Sequence, residues 1–353
     1  MRKAHIDLLR ILSIILVMFN HTGTSRYMLF TLRTESPFYF VYMAFSVFCK
    51  VAVPIFFMIS GALLLHKEES IQEVLKMRFF RITVDLLLAS VVYYLIFQPN
   101  ESISIFGFFK TIYQSSATTA LWYLYSYLGL LLMLPMLQKL AKAMTNSEYI
   151  YLIGCYIILV GIIPALEFIF FKGTITLNPH FSVPLFTTSN IVYLMTGYFL
   201  ERRLSEKYFS KRNMLILSAI SIIAIAATCT ITQLFINDFG ISQLDEVESY
   251  FNILIIIPSI SLFFVIKGLF MKINVSHRVN MIITTVGSSV FGAYLIEKMM
   301  RHISQYVYVF LNPVIGSFFA TIVWVVVGTS MGLALIIVAK RIPYVNKVVN
   351  WLI

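Results

Sequence analysis

The sequence predicts an all-α fold: a polytopic integral membrane protein of about ten transmembrane helices, with both termini cytoplasmic. Three observations carry this expectation. Only 12% of the 353 residues are charged and 59% are hydrophobic, with a mean hydropathy of +0.86, whereas a soluble globule carries roughly 25% charged residues. The apolar residues gather into ten runs long enough to cross a bilayer. Finally, Lys and Arg alternate between the gaps, 19 of the 27 falling on one side, which is the bias that sets membrane topology. The net charge of +11 is therefore read as topology and not as a surface for nucleic acid.

The first run, 6–24, is "IDLLRILSIILVMFNHTG" with its flank. It is long and lacks a small-residue cleavage site, so it reads as a retained helix and not a signal peptide. Run two, 40–65, holds Lys50 and Pro54. Lys67, Lys76, Arg78 and Arg81 follow in a stretch read as an inner loop before run three, 82–98. Run four, 120–138, opens on "LWYLYSY", which fits an interfacial aromatic belt. Run five, 149–171, contains Pro164 and Glu167, and run six covers 186–201. The stretch "RRLSEKYFSKR", 202–212, is read as a basic loop on anionic lipid. Runs seven and eight, 213–236 and 250–271, flank a purely acidic outer loop, "NDFGISQLDEVES". Runs nine and ten cover 282–302 and 314–339. Pro54, Pro135, Pro164 and Pro258 mark sites where a carbonyl is freed and a kink permitted. Gaps of about 15–20 residues are too short to bury a soluble core, so residues 1–353 are read as one membrane domain. Cys49, Cys155 and Cys229 all sit in apolar runs. Neither a disulfide framework nor a metal pair is spelled out, and no metal is expected.

The informative residues are the ionisable ones inside these runs: Asp7, Arg10, His21, Lys50, Asp85, Glu167 and Glu297. A charge at the bilayer centre costs about 2.5–3.5 kcal/mol on insertion scales. Asp7, Asp85 and Glu167 lie near span ends, where water or a basic neighbour satisfies them. Arg10 and His21 are eleven residues apart, which at about 3.6 residues per turn puts them on one helix face, roughly 16 Å apart along the axis. Two readings of His21 stay open: a hydrogen bond between helices or a catalytic base. Glu297 is as deep in its run as His21 is in the first, so the two can meet across helices, and a carboxylate raises imidazole basicity and fixes its tautomer. The competing reading pairs Glu297 with Lys50, Lys298 or Arg301. Trp122 and Tyr123 are either belt residues or substrate contacts. Ser60, in "ISG", has no nucleophile elbow around it and reads as helix packing.

Several segments together resemble the membrane-bound acyltransferase-3 family of bacterial cell-envelope O-acyltransferases. "RILSIILVMFNH" matches its arginine, ten residues, histidine signature at Arg10 and His21. "VPIFFMISGALLL" is similar to the Pro-Phe-Phe-Ser-Gly segment, and "RFFRI" resembles the RxxR pair at Arg78 and Arg81. "LWYLYSYLGLL" and "GSSVFGAYLI" are similar to later spans. The resemblance covers essentially the whole chain. It departs at Glu297, where the family often has a histidine after "YLI".

The resemblance implies a multi-pass protein of the bacterial cytoplasmic membrane. It implies transfer of an acyl group, most often acetyl, from cytoplasmic acyl-CoA to a hydroxyl of a surface or lipid-linked glycan, with no metal and no nucleic acid. Arg10, Arg78 and Arg81 become donor-binding residues, because guanidinium groups grip phosphates bidentately. His21 becomes the base or acyl carrier with Glu297 beside it, and Lys50 a candidate oxyanion or substrate contact. For Arg78 and Arg81 the positive-inside bias alone is the competing account. The rival functional class is a transporter or exporter, since buried ionisable groups also mark substrate pathways. A third reading, a non-catalytic subunit of a polysaccharide machine, requires that His21 be dispensable.

Overall fold

The computed structural model describes residues 3–97, 104–178, 180–186, 188–240, 247–248, 251–343 and 346. All regular structure among them is helical. We number the main helices α1 (Ala4–Asn20), α2 (Tyr39–Leu64), α3 (Ile71–Phe97), α4 (Ile105–Gln114), α5 (Thr119–Ala143), α6 (Asn146–Phe171), α7 (Ser189–Tyr198), α8 (Lys211–Phe239), α9 (Ile256–Lys272), α10 (His277–Leu295), α11 (Glu297–Ile303) and α12 (Gln305–Ala339). Six of them, α2, α3, α5, α6, α8 and α12, are long and apolar enough to cross a membrane. Helices α10 and α11 make a seventh if taken as one span bent by 85°. The other three expected spans are shorter: α1 and α9 have 17 residues each and α7 has ten before a π-helical end at Phe199–Arg203. Arg2, Lys347 and most of the acidic loop 237–249 lie outside the described residues.

The stretch read as a loop before run three is helical instead. Ser70 accepts a hydrogen bond from the Glu73 backbone N–H while Glu73 accepts from the Ser70 backbone. This capping box satisfies two of the free donors of a helix start, so α3 begins at Ile71 and passes through a π-helical turn at Val74–Phe79. Arg78 and Arg81 are thereby on one helix, three residues apart, and share a face. The same device, Thr145 with Glu148, starts α6. Pro54 and Pro258 fall in first turns of helical segments, where a missing N–H costs nothing. Pro135 lies inside α5. The apolar α4, which the sequence reading left as loop, projects Ile105, Phe106 and Tyr113 outward.

Helix α1 runs through the centre, packed against α2, α9, α10 and α12. Beside it, α7 lies on the second half of α2. Their backbones meet: a Cβ at Gly61 would stand 1.8 Å from the Leu194 carbonyl oxygen, and one at Gly197 would stand 1.9 Å from that of Met58. Small residues let helices approach this closely where lipid supplies no hydrophobic drive. Gly61 of the "ISG" segment is thus a packing residue, and the Ser60 hydroxyl donates to the Phe56 carbonyl one turn back. Gly287 serves the same end on α10, where it lies directly against Asp7 of α1.

Candidate active site

His21 follows the last residue of α1, held by its backbone N–H on the Val17 carbonyl. Glu297 opens α11, just past the break at Ile296. That break bends the chain by 85° and frees the Leu295 carbonyl, which accepts a hydrogen bond from the Tyr93 hydroxyl at 2.9 Å. The bend carries Glu297 into the interior, where it is fully buried. His21 Nδ1 lies 3.0 Å from Glu297 Oε1, and Arg301 Nε lies 3.5 Å from Oε2. A carboxylate on Nδ1 favours a proton there, so Nε2 is the ring nitrogen that Glu297 does not engage. Of the partners considered for Glu297, His21 and Arg301 are in place. Lys298 instead lies over the Phe97 ring, 4.4 Å from its centroid. Lys50 pairs with Glu248 and lies over the Tyr27 ring.

A cavity of about 1180 Å³ joins these groups. At one end it is lined by Asn20, His21, Lys50, Trp122, Glu248 and Asn252. An Asn20 side-chain N–H donates to the Cys49 carbonyl, which ties that end of α1 to α2. Midway the walls are Ser60, Tyr123, Tyr127, Tyr193 and Tyr294, with Tyr123 stacked on Tyr127. The other end carries Arg10, His66, Lys67, Arg78, Arg81 and Arg202. The residues given a site role from the sequence, Arg10, His21, Lys50, Arg78, Arg81, Trp122 and Tyr123, line this one chamber and Glu297 touches it through His21, whereas Asp7, Asp85 and Glu167 are not in its lining.

The arginines do not arrive unmodified. Arg10 Nη1 is 2.7 Å from Asp7 Oδ1. Arg78 makes a bidentate pair with Glu69, through Nε at 3.0 and 3.1 Å and Nη2 at 2.6 Å. Burial opposes ionisation of Glu69, but its bonds to Arg78 and Gln138 and the nearby Lys67 charge together outweigh it and hold the carboxyl below the usual range. Asp85 is buried one turn after Arg81, and neither of its oxygens has a hydrogen-bond partner among the described residues. Glu167 accepts from the Leu177 backbone N–H, so it serves a loop. A separate buried cluster joins Glu201 to Lys3 at 2.5 Å, His5 at 3.0 Å and Lys267 at 3.6 Å, and it anchors the start of α1.

Sequence reasoning missed His66, Lys67 and Arg202. His66 follows directly on an apolar run, "ALLLHK", and Lys67 and Arg202 were counted as topology. The basic stretch 202–212 is not simply a lipid-facing loop. Arg203 donates to the Met144 carbonyl at 2.9 Å, and Arg202 lines the cavity with Nη2 3.5 Å from His66 Nε2. The described residues hold no cluster of three His, Cys, Asp or Glu able to take a metal ion.

The acyltransferase-3 family model, described as an acyltransferase domain, matches residues 3–341. No curated protein and no solved structure gives a significant match.

Proposed function

The chain belongs to the acyltransferase-3 family, and on that premise we propose that it is a membrane O-acyltransferase drawing on cytoplasmic acyl-CoA. The acceptor is a hydroxyl of a cell-surface or lipid-linked glycan in a bacterial envelope, and acetyl is the leading acyl group. The ten-run topology with cytoplasmic termini belongs to this reading, since it puts the arginine end of the cavity inside and the His21 end outside.

The observation that carries the proposal is the single chamber that joins a cationic mouth to the His21–Glu297 pair. Acyl-CoA is anionic and cannot cross lipid, but its pantetheine arm can. Extended, that arm is about 15–20 Å long by chain-length reasoning, comparable with the roughly 16 Å axial rise from Arg10 to His21. Arg10, Arg78 and Arg81 line the mouth where the diphosphate would dock, and Trp122 and Tyr123 border the path of the thioester.

At the far end His21 Nε2 takes the proton of the acceptor hydroxyl as its oxygen attacks the thioester carbonyl. Glu297 steadies the imidazolium that forms. The tetrahedral intermediate collapses with cleavage of the C–S bond, and the thiolate leaves as thiol with the proton from His21. Lys50 enters the chamber already paired with Glu248, so its part is to shape the acceptor end as an ion pair.

The test is transfer of labelled acetyl from acetyl-CoA into envelope glycan by inside-out vesicles, with wild type compared to His21→Ala at matched protein levels. Alkali-labile label that His21→Ala abolishes upholds the reading. No transfer from any of several acyl-CoA donors, or equal transfer by His21→Ala, overturns it and makes unmodified transport the leading account.

A further inference from the structure

The cavity mouth holds more cationic groups than the three arginines, and they differ in how they are compensated. Arg10 is bound by Asp7 and Arg78 by Glu69. Lys67 and Arg202, by contrast, have no acidic partner within ion-pair distance among the described residues. Arg202 Nη2 lies 3.5 Å from Nε2 of His66, itself a basic residue. His66 is partly buried, and its Nδ1 is out of contact with solvent and has no hydrogen-bond partner. Two cations and an imidazole thus line one chamber, with the more distant Glu69 carboxylate felt by Lys67.

We propose that His66, Lys67 and Arg202 form a binding site for a phosphomonoester dianion, which in the donor is the 3′-phosphate of the CoA nucleotide. The assignment rests on the acyl-CoA reading above and divides the donor between two groups of side chains. The arginines already paired with carboxylates face the diphosphate, whose two phosphates carry about one negative charge each. The uncompensated trio faces the terminal phosphate, which carries about −1.5 to −2 at neutral pH and presents three acceptor oxygens. Arg202 supplies a planar fork to two of them and Lys67 a compact point charge.

The His66 environment agrees. Burial, then the charges of Arg202, Lys67, Lys3 and Lys142, hold its imidazolium below the usual range, so the ring stands neutral while the site is empty. A dianion placed among the same groups reverses the local field, and the ring takes up a proton and becomes a third donor. An anionic lipid headgroup offers the same phosphate chemistry, and the experiment has to separate the two sources.

Calorimetry on the full chain in nanodiscs reads the site without needing acceptor or acyl group. CoA and 3′-dephospho-CoA differ only in the phosphate in question. For wild type we expect CoA to bind at least about tenfold more tightly, as charge-assisted bonds to a dianion allow. Arg202→Gln, and separately Lys67→Gln, should bring the ratio of the two affinities toward one. Arg203→Gln, whose guanidinium is spent on the Met144 carbonyl, should leave the ratio as in wild type. CoA binding with a wild-type ratio near one overturns this site while leaving the donor reading intact. A ratio that none of the variants alters also overturns it. If neither compound binds, the donor reading itself fails. The same measurements in discs of neutral lipid and of lipid with anionic headgroups complete the test. A ratio independent of lipid upholds the nucleotide, whereas an effect of the variants seen only with anionic lipid assigns the site to a headgroup and overturns the proposal.

Discussion

His21 Nδ1 and Glu297 Oε1 stand 3.0 Å apart although 276 residues separate them in the chain. The pair joins the end of α1 to the start of α11, and the carboxylate has no exposure to solvent. Glu297→Gln preserves the shape and removes the charge that steadies an imidazolium. We expect transfer to fall by about 10²–10⁴-fold, the usual worth of a positioned general base, with little change in donor KM. Steady-state kinetics on matched protein decide the matter, and wild-type turnover by Glu297→Gln would remove the pair from the chemistry.

The α2–α7 contact predicts a steep cost for one methyl group. Gly61→Ala and Gly197→Ala each drive a Cβ into a backbone carbonyl, an atom that cannot rotate away. Overpacking of this kind costs about 1–3 kcal/mol or more. Thermal unfolding in detergent should show both variants less stable than wild type. Gly129→Ala, where a Cβ meets nothing within 4 Å, should be as stable as wild type or slightly more so.

Gly287→Ala acts at one remove. The added carbon would sit 2.4 Å from Asp7 Cβ and 2.8 Å from Oδ1, the oxygen that Arg10 holds. Displacing Asp7 moves Arg10 in the mouth. We expect donor KM to rise several-fold while kcat changes less, because His21 lies three turns away. Equal loss in both constants would point to general misfolding instead.

Donor binding should depend on pH through His66. Its ring is kept neutral in the empty site by burial and by Arg202, Lys67, Lys3 and Lys142, and a bound dianion raises its proton affinity. Binding is therefore coupled to proton uptake, so above the second ionisation of the phosphate, at about 6, donor affinity falls as pH rises through the raised value of the complex. Calorimetry in buffers of different ionisation enthalpy should register the uptake. His66→Gln should abolish it and flatten the profile, and an unchanged uptake in that variant would clear His66 of the role.

Much of this arrangement is legible in the sequence. Composition gave the all-helical membrane class, and the eleven-residue spacing put Arg10 and His21 on one face. Counting depth along two runs made His21 one of the candidate partners of Glu297, level with Lys50, Lys298 and Arg301, and the fold brings both His21 and Arg301 to it. Other features were not legible because they depend on local chemistry that hydropathy overrides. The Ser70–Glu73 capping box starts α3 eleven residues before its apolar run, so a loop was expected where Arg78 sits on a helix. The bend at Ile296 has no proline or glycine at the break to announce it. Arg202 reads as a topology marker in a linear chain, and only the fold brings it beside His66. The partner of Lys50 lies in the acidic outer loop, 198 residues away, and composition offers no way to choose it from the other carboxylates.

The two glycine contacts between α2 and α7 set a length. The second half of α2 runs from the junction at Lys50 to just before His66, while the chain continuing from α7 bears Arg202. Because the two backbones touch, the span from the basic mouth to the acceptor end behaves as a rigid gauge that no side-chain rearrangement can shorten. On the acyl-CoA reading, any donor would be measured against it from the phosphate side, and its thioester would come to rest at one depth whatever acyl group it carries. On the same reading, tolerance for longer acyl chains would come from the His21 end of the chamber, whose lining includes Trp122 and Asn252, and not from the residues of the basic mouth.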